Sequence, residues 1–274
     1  MMNSVLESRP ALKAVIDQIA EVTGYLWEKG WAERNGGNLT YNVTDLVDEE
    51  MKAMPAISPV LHIGKVLPNL KGCWFYCKGT GRRMRDLARD PMSNGTIIRI
   101  LDDCESYEMV ADQCVMPTSE LPSHLSIQDY IIGTGSSYKA TLHTHPIELV
   151  AMSHIRMFCS SDVLTRTLWS MIPETLAFAP LGLGFIPFDI PGTVALAEAT
   201  LKEIGKYDVV LWEKHGTIAV GEDMMDAFDQ TDVLNKAACI YKASCEFGSI
   251  PEGMTEDSMS AIQDLFNLPK TRVK

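Results

Sequence analysis

The stretch Tyr207-Asp208-Val209-Val210-Leu211-Trp212-Glu213-Lys214-His215-Gly216-Thr217-Ile218-Ala219-Val220 decides how this chain folds. Two apolar runs, one ending at Trp212 and one beginning at Thr217, are separated only by a turn at His215-Gly216. So short a connection forces antiparallel pairing, because parallel strands need a long crossover. The turn also sets a histidine at a strand end. A second such place is Ala140-Thr141-Leu142-His143-Thr144-His145-Pro146, a short apolar approach followed by two histidines two residues apart. Side chains alternate along a strand, so His143 and His145 point to the same face and can grip one metal ion. Zinc favours imidazole, and a catalytic zinc takes three protein ligands and keeps one position open. His215 is the candidate third ligand. Histidine pairs held by hydrogen bonds also occur in cores and turns, so the reading needs support from elsewhere in the chain.

Three segments supply it. Arg34-Asn35-Gly36-Gly37-Asn38-Leu39-Thr40 follows a helix ending near Trp31, and Lys78-Gly79-Thr80-Gly81-Arg82 follows the apolar run Cys73 to Cys77. Met116-Pro117-Thr118-Ser119-Glu120-Leu121-Pro122 ends another strand-like run. Each puts glycine, amide or hydroxyl residues at a turn, where backbone N–H groups can approach an anion closely. Taken singly, each also reads as an ordinary turn.

In this order the four signals resemble the class II aldolase/adducin superfamily, from Trp27 to Gly221. Lys29-Gly30-Trp31-Ala32-Glu33 before the Asn-Gly-Gly-Asn, and Thr165-Arg166 through Leu168-Trp169 with Glu174 downstream, point to its rhamnulose branch. The resemblance implies a three-layer αβα fold with a central, largely antiparallel sheet. It also implies a homotetramer with sites at subunit interfaces, and one zinc per chain on His143, His145 and His215. Glu120 then ligates zinc at rest and swings away when substrate binds. Glu174 reaches into a neighbouring subunit's site to handle the aldehyde-side proton; without the resemblance it reads as a solvated turn glutamate.

The residues themselves suit that chemistry. Breaking a carbon–carbon bond beside a ketone leaves a carbanion, and a zinc ion acting as a Lewis acid is a fitting electron sink. Reprotonation needs a tuned carboxylate, for which Glu120 is the best single candidate. Asn35, Gly37, Asn38, Thr80, Thr118 and Ser119 would hold a substrate phosphate through hydroxyls and amides rather than cations. Thr80 stands where relatives often carry serine. The expected activity is zinc-dependent cleavage of a ketose 1-phosphate. Alternatives are fuculose-phosphate cleavage, pentulose-phosphate 4-epimerisation, thioribulose-phosphate dehydration, or a non-catalytic assembly module like the adducin head. The complete His143, His145, His215 and Glu120 set argues against the last.

Composition sets outer bounds. The 274 residues are 46% hydrophobic, enough for a sizeable core, and are expected to form one α/β domain over 1–274. The net charge of −12 argues against nucleic acid, whose binding draws on basic patches. No stretch approaches a membrane span, and Met1 to Lys13 lacks the apolar region of a signal peptide. Seven cysteines, several within apolar runs, read as reduced thiols of a cytoplasmic protein, with Cys73 and Cys77 in the core. No Gly-x-Gly-x-x-Gly follows a strand into a helix, which removes the dinucleotide-binding alternative. His62, His124 and His154 match no ligand position. The basic run Lys78, Arg82, Arg83, Arg85 and Arg89 reads as a solvated helix face, with Arg82 placed to assist the phosphate.

Periodicity and turn signals predict helices over 11–29, 162–171, 193–205, 224–247 and 257–265, and another through Ile132 capped by Ser119 or Ser123. Strands are expected at 39–43, 96–101 and 107–115, with irregular chain between Met54 and Leu70.

Overall fold

The computed structural model describes residues 5–269. They divide into two compact units, one running to Leu142 and including Gly221–Met225, the other comprising His143–Val220 and the chain from Asp226 onward.

The first unit opens with α1 (Pro10–Glu28), where proline is tolerated because a first-turn N–H has no helical partner. Leu12, Ile16, Ile19, Val22 and Leu26 recur every three or four residues and are fully buried. Each such burial contributes about 1.5–3 kcal/mol. The helix ends at Gly30, whose φ of 73° lets Trp31 N–H return to Leu26 O and Gly30 N–H to Trp27 O. Five strands follow: β1 (Asn38–Asn42), β2 (Leu61–His62), β3 (Trp74–Lys78), β4 (Gly95–Ile100) and β5 (Ser106–Met109). Their order is β2-β5-β4-β3-β1 and every pairing is antiparallel. Short helices α2 (Glu49–Lys52), α3 (Met84–Leu87) and α4 (Pro91–Asn94) precede the longer α5 (Leu121–Gly133). Phe75 and Cys77 of β3 join Ile98, Ile100, Tyr107, Met109, Leu121 and Leu125 in one core between sheet and α5.

Two expectations are corrected here. The strand predicted over 107–115 stops at Met109. Asp112 turns away to accept Val5 N–H at 2.8 Å, and Val115 N–H bonds back to Gln113 O, so local turns replace the ladder. Neither Ser119 nor Ser123 caps α5; Glu120 occupies that position, and its carbonyl accepts from Ser123 and His124 N–H.

The second unit receives the end of β6 (Ala140–Thr144). Then come α6 (Ile147–Ser153), α7 (Ser161–Trp169), α8 (Pro173–Phe178), β7 (Leu183–Ile186), α9 (Val194–Ile204), β8 (Val209–Trp212), β9 (Gly216–Gly221), α10 (Met224–Cys245) and α11 (Glu256–Leu265). β8 and β9 pair antiparallel as the opening stretch requires, with Trp212 opposite Gly216. The turn between them is Glu213-Lys214-His215, with Lys214 at φ 60°, the left-handed residue of a three-residue hairpin loop. β7 pairs parallel to β8, with α9 as the crossover. The class is therefore α/β with mostly antiparallel strands, as expected. Among the described residues no helix is long and apolar enough to cross a membrane, and the seven cysteines are free.

Candidate functional site

The second unit gathers His143, His145 and His215 so that one nitrogen of each lies within 4.8 Å of the others. His143 sits on β6 and is 1% exposed. Its Nδ1 stands 2.8 Å from Thr217 O, and since a carbonyl only accepts, Nδ1 carries the proton and Nε2 keeps its lone pair. That Nε2 faces His145 Nε2 at 3.3 Å. Two nitrogens held tetrahedrally at zinc distance would be roughly 3.3 Å apart, so the pair fits a shared ion. His215 comes from the hairpin loop, its ring centroid 4.8 Å from that of His143 and 5.3 Å from that of His145. Trp212 lies against His143 with centroids 4.7 Å apart. Gly216 permits the convergence: a Cβ there would meet Thr144 O at 2.4 Å, His145 Cδ2 at 2.7 Å and His143 Cε1 at 3.1 Å. Lys214 N–H, held by Ser153 Oγ at 2.8 Å, anchors the hairpin. Three imidazoles on one face are a divalent-metal donor set.

The first unit gathers the polar turns. Asn38 Nδ2 donates to Glu120 Oε2 at 3.0 Å, while its buried Oδ1 has no hydrogen-bond partner among the described residues. Gly37 has φ 70° and Arg34 φ 47°, so the Arg34–Asn38 turn uses left-handed backbone twice. Glu120 N–H donates to Thr118 Oγ1 at 3.3 Å. Thr118 N–H goes to Lys78 O and Thr80 N–H to Met116 O, both at 2.8 Å, around a Gly79–Pro117 bridge. A Cβ on Gly79 would meet Val115, Arg82 and Asn94 O within 3 Å, which explains glycine there. Asn35, Thr80 and Ser119 are exposed and Thr118 is buried. Six of the sequence-predicted residues thus lie on three tied turns with Glu120. Glu174 stands exposed in the first turn of α8.

The basic run is not one helix face. Lys78 is 2% exposed within β3, Arg82 is exposed, and Arg85 lies 4.7 Å over the Trp27 ring. The Lys78 ammonium donates to Asn35 O at 2.9 Å and Gly37 O at 2.8 Å. Burial pulls its pKa down to about 8, with Glu120 opposing. A signal existed: Lys78 continues the period-2 row Trp74, Tyr76 of an otherwise apolar strand. His124 is fully buried; burial, then Lys78, lowers its pKa to about 3, and Nδ1 lies 3.4 Å from Thr40 Oγ1. His62 and His154 are exposed.

Comparison with known proteins agrees with this geometry. The family model for the class II aldolase and adducin N-terminal domain matches residues 17–242. A rhamnulose-1-phosphate aldolase from Bacteroides thetaiotaomicron is 60% identical over 269 residues, covering 98% of this chain and 100% of that protein. Another from Klebsiella pneumoniae is 30% identical over 257 residues, covering 92% and 93%. The crystal structure of a sugar-phosphate aldolase from Thermotoga maritima is similar with a TM-score of 0.76 at 31% identity, over 88% of this chain and 99% of that one. The chain belongs to the class II aldolase and adducin family.

Proposed function

We propose that this chain is a lyase that cleaves L-rhamnulose 1-phosphate to dihydroxyacetone phosphate and L-lactaldehyde. The observation that carries the reading is the 60% identity, over essentially the whole length of both chains, to a rhamnulose-1-phosphate aldolase. The histidine triad, the Asn38–Glu120 pair and the three polar turns are the parts such a reaction needs.

His143, His145 and His215 hold one zinc ion per chain in this reading. The ion, when bound, supplies Lewis-acid stabilisation of the charge left on the ketose as its carbon–carbon bond breaks, worth several kcal/mol. Asn35, Gly37, Asn38, Thr80, Thr118 and Ser119 hold the phosphate end through amides and hydroxyls. Glu120 returns a proton to the carbon that has lost the aldehyde, with Asn38 Nδ2 orienting its carboxylate. Glu174 serves the aldehyde side from a neighbouring subunit; its exposed place on the first turn of α8 leaves the carboxylate free to do so. The chain 1–274 works as one catalytic domain in a cytoplasmic homotetramer, with sites at subunit interfaces.

The test is a cleavage assay against a panel of ketose 1-phosphates, with dihydroxyacetone phosphate measured as product. Rhamnulose 1-phosphate is expected to exceed fuculose 1-phosphate in kcat/KM by at least about tenfold, the scale on which one misplaced hydroxyl is rejected. Preference for the fuculose substrate, or epimerisation of a pentulose phosphate without cleavage, would overturn the assignment.

A further inference from the structure

The residues assigned to the phosphate carry no charge, and the whole chain has a net charge of −12. A phosphate dianion approaching them meets an unfavourable field unless a cation stands behind the loop. Lys78 is that cation. It reaches from β3 beneath Asn35–Asn38, 2% exposed, and donates to the carbonyls of Asn35 and Gly37. In a planar trans peptide the carbonyl and the next N–H point opposite ways. A Gly37 carbonyl turned onto the ammonium therefore directs Asn38 N–H away from it. The peptide dipole so aligned passes positive potential outward to the face where an anion would bind. The Lys78 carbonyl accepts Thr118 N–H, tying this loop to the Thr118–Glu120 turn.

We propose that Lys78 is a positioning residue for substrate phosphate, holding the Asn35–Asn38 turn in its anion-binding form and charging it from behind. The proposal rests on the reading that this turn takes the phosphate. Lys78 touches no substrate; it acts through the peptide units it holds.

The test compares Lys78→Met, Lys78→Gln and Lys78→Arg, with Arg82→Ala as the rival cation and the exposed Arg89→Ala as control, using inorganic phosphate as competitive inhibitor and a phosphorylated ketose as substrate. Lys78→Met and Lys78→Gln are expected to weaken phosphate inhibition and raise KM by at least about tenfold, the scale of one charge-assisted hydrogen bond, with a smaller fall in kcat. Lys78→Arg should recover part of the loss. Lys78→Gln keeps a side-chain donor, so it tests the charge even where Lys78→Met fails to fold. Native phosphate inhibition in a folded Lys78→Gln chain would overturn the proposal. So would a large effect confined to Arg82→Ala, which would move the charge to that exposed side chain. A wild-type chain that phosphate does not inhibit would instead overturn the phosphate-site reading beneath it.

Discussion

The histidine centre and the Asn35–Asn38 turn are built in opposite ways. His143 leaves a strand and His215 a three-residue hairpin, so ladder hydrogen bonds fix the backbone before any ligand arrives. Shape there depends on one missing side chain, at Gly216. The Asn35–Asn38 turn has no such ladder before Asn38. Left-handed Gly37 within it, left-handed Arg34 just before it and a buried ammonium drawn onto two carbonyls define it instead. A site of the first kind loses its ligand when a side chain goes but keeps its backbone. A site of the second kind loses its backbone shape when one cation goes.

The largest effect should come from the histidines. His143→Ala or His215→Ala is expected to abolish metal binding while circular dichroism and the unfolding transition persist. Cleavage should fall by about a thousandfold or more, since several kcal/mol of stabilisation disappears at 1.4 kcal/mol per decade. Collapse of the fold in either variant would show that the centre is not prebuilt by its strands.

Glu120→Gln comes next. It retains an oxygen to accept from Asn38 but cannot carry the proton, so turnover should fall by about a hundredfold with metal content unchanged. Steady-state kinetics with metal analysis reads both, and native turnover would place the proton carrier elsewhere.

Gly216→Ala should produce a smaller, graded loss. The new methyl must displace the Thr144 carbonyl or the His145 ring, for about 1–3 kcal/mol of overpacking and a metal affinity about 10–100-fold weaker. Titration with zinc against a competing chelator measures it. An unchanged affinity would mean that close approach at Gly216 does not shape the centre.

The smallest effect belongs to His124, in the first unit beside Thr40. Folded His124 takes a proton only near pH 3, whereas an ordinary histidine does so at 6.5. Between those values the unfolded chain binds more protons, so stability must fall as pH drops below 6.5. Urea midpoints at pH 7 and pH 5 should differ, and His124→Gln should narrow the difference. An equal pH dependence in both chains would assign the acid sensitivity to other groups.

What could be read from the residues follows the same division. The β8–β9 hairpin and α1 have repeats and stop signals that act over a few positions, and both appear nearly as expected. The His143–His145 pair was legible because strand alternation aims both rings to one face. His215 stood out as a histidine at a second strand-end turn, with the other polar turns needed to support the reading. β7, only four residues long and starting directly after the left-handed Gly182, is too short to show a period and owes its place to pairing with β8. Helices α6 and α8, seven and six residues long, are equally silent. Lys78 escaped because neighbouring arginines disguise it as part of a charged run, although it continues the inward row of Trp74 and Tyr76 on its strand. Gly216 showed itself as a turn glycine, but its use, making room for two imidazole rings and the Thr144 carbonyl, depends on residues far away in sequence.

His143, His145 and His215 are expected to hold the ion on which cleavage depends. The most direct measurement is metal stoichiometry and cleavage rate on one preparation, taken as purified, after chelation and after zinc is restored. The expected result is about one ion per chain, loss of cleavage with the fold intact after chelation, and recovery with zinc in the wild type but not in His215→Ala. A metal-free chain that cleaves at the native rate would contradict it.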